Sequence, residues 1–297
     1  MKYIIITPTK DEKKNISRLI GLIEKQTIKP ILWVIVDESS DSTKDIIKEL
    51  AKKYEWVKSI FLEKSEGYLG INYGIACKTG FDFGIEYCEQ HGIEYDYIGL
   101  VDADVVIAED FFERLMIEFE KDPELGIASG SEYWNISGKL VSAGLREELP
   151  MGPARLWRRK CFEETGGYQA TASPDSVSNV KAKLRGWKTK QFKEIKVIAR
   201  RTSTARGYWW GSVREGKDYY FLNYHPAIII LKALKYSLKK PYYIGIALLF
   251  GYFSCVIREK EKIKDEEIKH YYRHIRPKEI FQYYFERLRN ISKRGRT

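Results

Sequence analysis

Cysteine is scarce in this chain of 297 residues, and its four copies, Cys77, Cys88, Cys161 and Cys255, form no Cys-x-x-Cys pair. The first two fall within one predicted helix. The spacing therefore indicates neither a disulfide framework nor a zinc site. The amino-terminal residues also lack a basic segment followed by an apolar one, so we expect reduced thiols and a cytoplasmic location.

Glycine-rich phosphate loops are missing as well. The first apolar run, Tyr3–Thr7, is followed by Pro8–Glu12, which contains no glycine. Neither a Walker loop nor a Gly-x-Gly-x-x-Gly segment follows this strand, and this argues against P-loop and dinucleotide-binding chemistry.

Acidic residues are unevenly distributed. Residues 1–150 carry 18 Lys and Arg against 28 Asp and Glu, residues 151–225 carry 16 against 6, and residues 226–297 carry 17 against 7. This asymmetry indicates two surfaces with different partners. Nucleic acid is not expected among them, because no nucleic-acid motif is present and the acidic first half would repel a phosphate backbone.

The first 130 residues alternate between strand and helix patterns. Strand patterns cover Tyr3–Thr7, Ile31–Val36, Val57–Leu62, 96–101 and Leu125–Ser129, and helix patterns begin near Asn15 and Ser42 and cover 69–90 and Glu109–Lys121. Repeated strand–helix units predict a mostly parallel sheet with helices on both faces.

Polar side chains follow the first four predicted strands, in Thr7–Glu12, Asp37–Thr43, Ser65–Tyr68 with Asn72, and Asp102–Asp104. Because strand side chains alternate, Asp102 and Asp104 project together beyond the carboxyl end of a strand, where open α/β sheets bind ligands. Two carboxylates suit Mg²⁺ or Mn²⁺, which can hold a diphosphate. The alternative is a loop with two solvated acids.

In this order the segments resemble the family-2 inverting glycosyltransferases, which have a GT-A fold and use nucleotide-diphosphate sugars. Five matches carry the resemblance: Pro8 with Glu12, Val36–Ser40 for Val-Asp-Asp-Gly-Ser, Gly67 with Asn72, Asp102 with Asp104, and Gly152–Arg159 with Gly166–Tyr168 for the acceptor-side segment. Lys10, Asp11 and Glu38 depart from the usual pattern, which leaves the donor open.

The resemblance implies a donor site and a metal. The donor nucleotide would contact Thr7, Pro8, Thr9, Glu12, Asp37, Glu38, Gly67, Asn72, Asp102 and Ala103. Asp104, with help from Asp102, would bind Mn²⁺ or Mg²⁺ at the leaving diphosphate. The expected donor is a UDP-sugar, with a GDP-sugar as the alternative.

An inverting transfer also needs a base for the acceptor hydroxyl. The resemblance assigns this role to Asp175, although Pro174 replaces the Glu that usually precedes it. The alternative is an acid that only stabilises a helix N-terminus. Arg155, Arg158 and Arg201 are candidates to bind phosphate of the donor or of a lipid-linked acceptor, or they form a solvated face.

The region from His225 to Ile257 contains no acidic residue. Its second apolar run, Pro241–Ile257, is about 17 residues long, at the short limit for crossing a bilayer. We expect a helical hairpin that lies in an anionic membrane surface, with a buried helical pair as the alternative. Residues 265–289 predict an amphipathic helix, broken at Pro277, that could mediate a homodimer.

The predicted fold class is α/β: a GT-A, Rossmann-like, mostly parallel sheet flanked by helices, with a helical, membrane-associating C-terminal extension. The catalytic domain would cover 1–215, with a nucleotide-binding half at 1–130 and an acceptor-side half at 131–215. The basic, helical region would cover 216–297.

The expected function is transfer of a single sugar to a polyprenyl-phosphate-linked or polysaccharide acceptor. A single transfer is favoured because the Gln-x-x-Arg-Trp signature of processive synthases is absent. The enzyme would be peripheral or monotopic on the inner face of the cell membrane. Two alternatives are a sugar-phosphate nucleotidyltransferase, which would need a glycine-rich first loop, and a non-catalytic membrane-surface module.

Overall fold

The computed structural model describes residues 1–63, 69–136, 139–144, 146–199, 208–238 and 240–294. The chain forms two compact units, Met1–Thr202 and Ser203–Thr297. The boundary between these units lies earlier than the domain boundary predicted after residue 215. The reason is that the helix Tyr208–Phe221 packs within the second unit, where its Gly216 meets the backbone of Leu248.

The first unit contains nine strands and six helices among its described residues. The strands are β1 (Tyr3–Thr9), β2 (Leu32–Asp37), β3 (Val57–Phe61), β4 (Tyr97–Val101), β5 (Val105–Ile107), β6 (Leu125–Ile136), β7 (Lys139–Ser142), β8 (Ala154–Arg158) and β9 (Lys188–Ala199). The helices are α1 (Lys13–Glu24), α2 (Thr43–Lys53), α3 (Leu69–Gln90), α4 (Phe111–Lys121), α5 (Arg159–Glu164) and α6 (Pro174–Leu184).

The strands form one sheet in the order β3-β2-β1-β4-β8-β6-β9-β5, with β7 paired to β6. The strands β3, β2, β1 and β4 are parallel, as the repeated strand–helix units predict. The expectation of a mostly parallel sheet is corrected beyond β4, because β8 runs antiparallel to both β4 and β6, and β5 runs antiparallel to β9. The strands β6 and β7 also pair antiparallel, whereas β6 and β9 pair parallel, so the sheet beyond β4 is mixed.

Apolar residues cover both faces of the central strands. On one face, Tyr3 and Ile5 pack with Ile16 of α1 and Phe112 of α4. On the other face, Ile4 and Ile6 pack with Phe81 of α3. Helix α3 approaches β1 closely at Gly80, where a Cβ atom would collide with the Ile6 side chain. These two layers fix the carboxyl ends of β1, β2 and β4 along one edge.

The second unit is helical. It contains α7 (Tyr208–Phe221), α8 (Pro226–Ser237), α9 (Ile244–Ile257), α10 (Glu266–His270), a π-helical turn (Tyr271–Ile275) and α11 (Arg276–Arg294). Pro277 does not interrupt the helix as predicted, because α10, the π-helical turn and α11 follow one another without a gap and the irregular π turn ends shortly before the proline. Within the described ranges, no helix is long and apolar enough to cross a membrane.

Candidate functional site

The loops after β1 and β2 are joined by side-chain hydrogen bonds at the predicted nucleotide site. Thr9 lies opposite Asp37 in the sheet register, and its Oγ1 donates to Asp37 Oδ1 at 2.7 Å. Ser39 Oγ donates to the same oxygen at 2.5 Å. Asp37 is only 1% exposed, and its Oδ2 is buried without a hydrogen-bond partner in the described parts of the chain. A buried carboxylate oxygen without a donor is a ready acceptor for a ligand N–H or hydroxyl.

Asp11 is a residue of this site that the sequence did not indicate as a contributor. Its φ of 55° is left-handed, and its carboxylate accepts from the backbone N–H of Ser40 at 2.9 Å. That bond holds the pKa of Asp11 below its usual value. Beside it, Lys10 pairs with the buried Glu38 at 3.2 Å. The departures Lys10, Asp11 and Glu38 therefore tie the two loops together.

The other predicted donor residues have mixed environments. Thr7 is fully buried, and its Oγ1 accepts from Trp33 Nε1 at 2.9 Å, so its side chain belongs to the core and only its backbone is left for the predicted donor contact. Pro8 is partly exposed between the buried residues Thr7 and Thr9. Glu12 precedes α1 and accepts from Asn15 Nδ2 at 2.6 Å. Asn72 is buried in the first turn of α3. Gly67 lies outside the described residues.

Asp102 and Asp104 follow β4 and point away from the core. Ala103 between them is 3% exposed and packs within the core, whereas both aspartates are partly exposed. The backbone N–H of Asp102 donates to Pro153 O at 2.8 Å, which fixes the turn against the start of β8. Ala103 therefore has its methyl group in the core, so only its backbone is left to face a ligand.

Several carboxylates lie near Asp102, and their negative charges affect its pKa. Burial raises its pKa well above the usual value, and the charges of Asp104, Asp175 and Glu12 raise it further. Burial raises the pKa of Glu132 of β6, which the sequence did not single out, and the nearby charge of Asp104 raises it further. Such a concentration of negative charge in a poorly solvated place is costly unless a cation or protons compensate it.

These carboxylates fit a divalent cation that is also held by a ligand. Asp102 and Asp104 offer hard oxygen atoms from two adjacent positions, as Mg²⁺ and Mn²⁺ require. In the described part of the chain no three His, Cys, Asp or Glu side chains are grouped as a complete metal site. Two carboxylates leave coordination positions for phosphate oxygens and water, which is the usual arrangement for a metal bound with a nucleotide.

A buried tyrosine side chain donates to each of the two carboxylates. Tyr73 donates to Asp102 Oδ1 at 2.9 Å, and Tyr168 donates to Asp175 Oδ1 at 3.1 Å. The buried Cys77 thiol lies near both tyrosines. Burial raises the pKa of each of the three groups well above its usual value, so all three stay protonated. The spacing of Tyr73 and Cys77 on one face of α3 is the only sequence signal for this arrangement.

Asp175 lies in the first turn of α6, after Ser173 with a left-handed φ of 54°. Its carboxylate is 31% exposed and pairs with the fully buried Arg155 at 3.5 Å. Gly152 also packs on it, since a Cβ atom there would collide with Asp175 Oδ2. The helix N-terminus and these contacts hold a charged carboxylate that still reaches solvent.

The phosphate-binding role predicted for Arg155 and Arg158 is corrected, because both side chains turn inward. Arg155 donates to Met151 O at 2.7 Å and Pro150 O at 2.5 Å. Arg158 donates to Phe119 O at 2.7 Å and therefore covers the C-terminal end of α4. A basic sequence run does not reveal whether its side chains turn toward solvent or toward backbone carbonyls. Arg201 lies outside the described residues.

Comparisons with known proteins identify the family and the fold. The model of the family "Glycosyl transferase family 2" matches residues 4–174. The chain belongs to glycosyl transferase family 2. The match covers the strand ends and stops at Pro174, the first residue of α6, so it includes every described candidate residue except Asp175.

A curated relative of this family member is the probable glucomannan 4-beta-mannosyltransferase 6 of Oryza sativa subsp. japonica. The alignment shows 25% identity over 236 residues, with coverage of 69% of this chain and 39% of the relative. The chain thus spans about two fifths of the length of the relative that it matches.

Two solved structures share the fold. The mannosyltransferase PcManGT from Pyrobaculum calidifontis, in complex with GDP-Man and Mn²⁺, has a TM-score of 0.54 at 15% identity, over 86% of this chain and 73% of its own. S. aureus TarS in complex with UDP has a TM-score of 0.52 at 16% identity, over 74% and 65%. At these identities the likeness concerns the fold, and the predicted GT-A fold is confirmed.

Proposed function

We propose that this chain transfers a single sugar, with inversion, from a nucleotide-diphosphate sugar to a hydroxyl of a lipid-linked or polysaccharide acceptor. The observation that carries the proposal is the convergence of carboxylates: the charges of Asp104, Asp175 and Glu12 all act on Asp102. A divalent metal ion would compensate part of this negative charge and would in turn hold the diphosphate of the donor. Solved structures of the same fold in complex with GDP-Man and with UDP support a nucleotide-sugar donor, and we take a UDP-sugar first and a GDP-sugar second.

The donor nucleotide would occupy the loops after β1 and β2. The buried Oδ2 of Asp37 would accept a hydrogen bond from the base or ribose, while Oδ1 is already held by Thr9 and Ser39. This preorganised acceptor favours binding because no side chain has to be ordered again. Asp102 and Asp104 would hold a divalent metal ion, which stabilises negative charge on the departing diphosphate when bound.

Asp175 would act as the base. It would take the proton of the acceptor hydroxyl while that oxygen bonds to the anomeric carbon, and the bond from this carbon to the diphosphate oxygen would break with its electron pair. Tyr168 donates to one oxygen of Asp175, and Arg155 pairs with the same oxygen. The second oxygen, Oδ2, which Gly152 approaches closely, would take the proton.

Thermal unfolding with UDP or GDP, with and without Mn²⁺, tests nucleotide binding. A ligand at a hundredfold excess over its Kd stabilises the native state by about 2.7 kcal/mol. We expect metal-dependent stabilisation by one nucleotide, and its loss in Asp37→Asn and in Asp104→Asn. The matched control is Asp82→Asn, an exposed carboxylate on α3 that pairs with Lys78. Stabilisation that survives in Asp37→Asn and Asp104→Asn would contradict the proposed donor site.

A second measurement tests the transfer itself. With donor sugar and acceptor present, nucleotide release should accompany formation of a product with inverted anomeric configuration, followed by NMR. Nucleotide binding without release in wild type would favour a binding module, and retention of configuration would remove the base role of Asp175.

A further inference from the structure

An apolar face that no described part of the chain covers lies on α8 and α9. Its exposed residues follow helical spacing on each helix: Ile230, Leu231, Leu234 and Leu238 on and just after α8, and Ile246, Phe250, Phe253 and Ile257 on α9. Leu238 and Ile257 are 81% and 82% exposed. We call these eight side chains the apolar face. Contiguous exposed apolar surface of this kind marks an interaction site in a soluble domain.

The opposite sides of both helices are already occupied. Gly245 of α9 meets the backbone of Ala233 of α8, and Gly251 meets the backbone of Val213 of α7. These close approaches require glycine, because a Cβ atom would collide with main chain at either position. The apolar face is therefore the side left over after the helices have packed with one another.

Aromatic residues border this face. Trp209 lies 6.0 Å from the ring of Tyr243 and 6.4 Å from the ring of Phe250, and the neighbouring Trp210 is 64% exposed. Tyr242 is also exposed, at 58%. Tyrosine and tryptophan favour the boundary between lipid and water, because their rings are apolar and one end is polar.

Charge distinguishes between two partners that would cover the apolar face, a second copy of the chain and a lipid surface. No acid occurs from His225 to Ile257. Lys235 and Lys240 in this region are exposed, and so is Arg258, which directly follows it. Lys232 is not part of this set, since it pairs with Glu215 at 3.8 Å. A second copy of the chain on this face would bring like charges together, whereas an anionic lipid surface would complement them.

We infer that the apolar face inserts into the headgroup layer of an anionic bilayer, with α9 lying along the surface. Helix α9 has 14 residues and is about 21 Å long, which is short of the roughly 30 Å of a hydrocarbon core. In-plane insertion buries the apolar side chains and leaves the lysines at the lipid phosphates. The inference does not depend on the proposed transferase activity.

Sedimentation with vesicles of phosphatidylcholine, with or without phosphatidylglycerol, tests the inference with the full chain. We expect binding to the anionic vesicles, weakened by salt. The double variant Ile246→Glu/Phe250→Glu should bind at least about tenfold more weakly, because two apolar side chains no longer enter the lipid. The matched control is Ile117→Glu, an exposed isoleucine on α4 of the first unit, which should bind as wild type does.

Three outcomes would overturn the inference: no binding of wild type to anionic vesicles, equal binding by the double variant, or a wild-type dimer that the double variant dissociates. Circular dichroism of each variant checks that it is folded. Quenching of tryptophan fluorescence by brominated phosphatidylglycerol gives an independent readout that does not need the double variant. Quenching should occur in wild type and fall in Trp209→Phe/Trp210→Phe, and its absence in wild type would also overturn the inference.

Discussion

The two units of this molecule differ in where they place charged and apolar side chains. The sheet unit buries nearly all its large apolar side chains and gathers carboxylates at the ends of β2 and β4 and the start of α6. The helical unit exposes most of the large apolar side chains that reach the surface in the described residues, and has no acid from His225 to Ile257. A cluster of negative charge is compensated by a cation, whereas a basic apolar face is complemented by anionic lipid. The chemistry that we propose therefore belongs to the sheet unit, and the membrane binding that we propose belongs to the helical unit.

The largest effect should come from the sheet unit. In Asp175→Asn the side chain keeps its shape and the partner Tyr168, but it can no longer take a proton. We expect kcat to fall by about 10³-fold, within the range for loss of a general base, while the nucleotide-induced stabilisation is unchanged.

Vesicle binding of Asp175→Asn should equal that of wild type, which separates the two units directly. The control Asp82→Asn should keep full activity. If Asp175→Asn retains most of the wild-type kcat, Asp175 serves only the N-terminus of α6 and the base lies elsewhere.

The next effect concerns the close packing of α7 against α9 at Gly251, which lies on the side of α9 opposite the apolar face. Gly251→Ala would place a Cβ atom against the backbone carbonyl of Val213. Because neither backbone can move without repacking α7 and α9, we expect the free energy of unfolding of the second unit to fall by about 3 kcal/mol. Denaturant titration followed by circular dichroism measures this loss.

Gly21→Ala in α1 is the matched control for that substitution. No atom lies within 4 Å of a Cβ at this position, so the helix should gain about 0.5–1 kcal/mol from the better propensity of alanine. Equal stability of the two variants would show that α7 and α9 do not pack as closely as their glycines indicate.

A smaller effect should come from the hydrogen bonds that Tyr168 and Tyr73 donate to Asp175 and Asp102. Tyr168→Phe removes the donor to Asp175 and should lower kcat about tenfold with little change in KM, since a hydrogen bond to a charged group is lost. Tyr73→Phe removes the donor to Asp102 and should instead change the Mn²⁺ concentration needed for nucleotide binding.

Tyr87→Phe, on the same helix α3 but partly exposed, should behave as wild type. The double variant Tyr73→Phe/Tyr168→Phe tests whether the two hydrogen bonds are coupled. Effects that add without any coupling energy would mean that the two carboxylates act independently.

Sequence reasoning was most reliable where one residue's position follows from local periodicity. Strands β1, β2 and β4 were predictable because short apolar runs alternate with amphipathic helices, and Asp37, Asp102 and Asp104 follow from where those runs end. Strand β8 was missed, because Ala154–Arg158 reads as a basic segment rather than as a buried strand.

Side-chain direction was the part that could not be predicted. Arg155 is fully buried beneath Asp175, although three neighbouring basic residues suggested an exposed patch. Tyr168 and Cys77 meet only because the backbone of α3 contacts the loop near Thr171 at Gly74. Such contacts join residues far apart in the chain, and a single sequence contains no pattern that identifies them.

The smallest effect concerns Lys232, a partly buried lysine of the helical unit. Burial lowers the pKa of Lys232 from 10.5 to about 8, although Glu215 partly offsets the shift. Between these pKa values the unfolded chain binds more protons than the folded one, so the contribution of Lys232 to stability increases with pH.

The comparison of wild type with Lys232→Met measures that contribution. Because nearly a third of the Lys232 side chain is exposed, we expect wild type to gain only about 1 kcal/mol relative to the variant between pH 7 and 9.5. Urea titrations of both proteins at several pH values test this difference. Parallel pH profiles would show that the ammonium group reaches water and that the positive charge of the helical unit lies wholly at its surface.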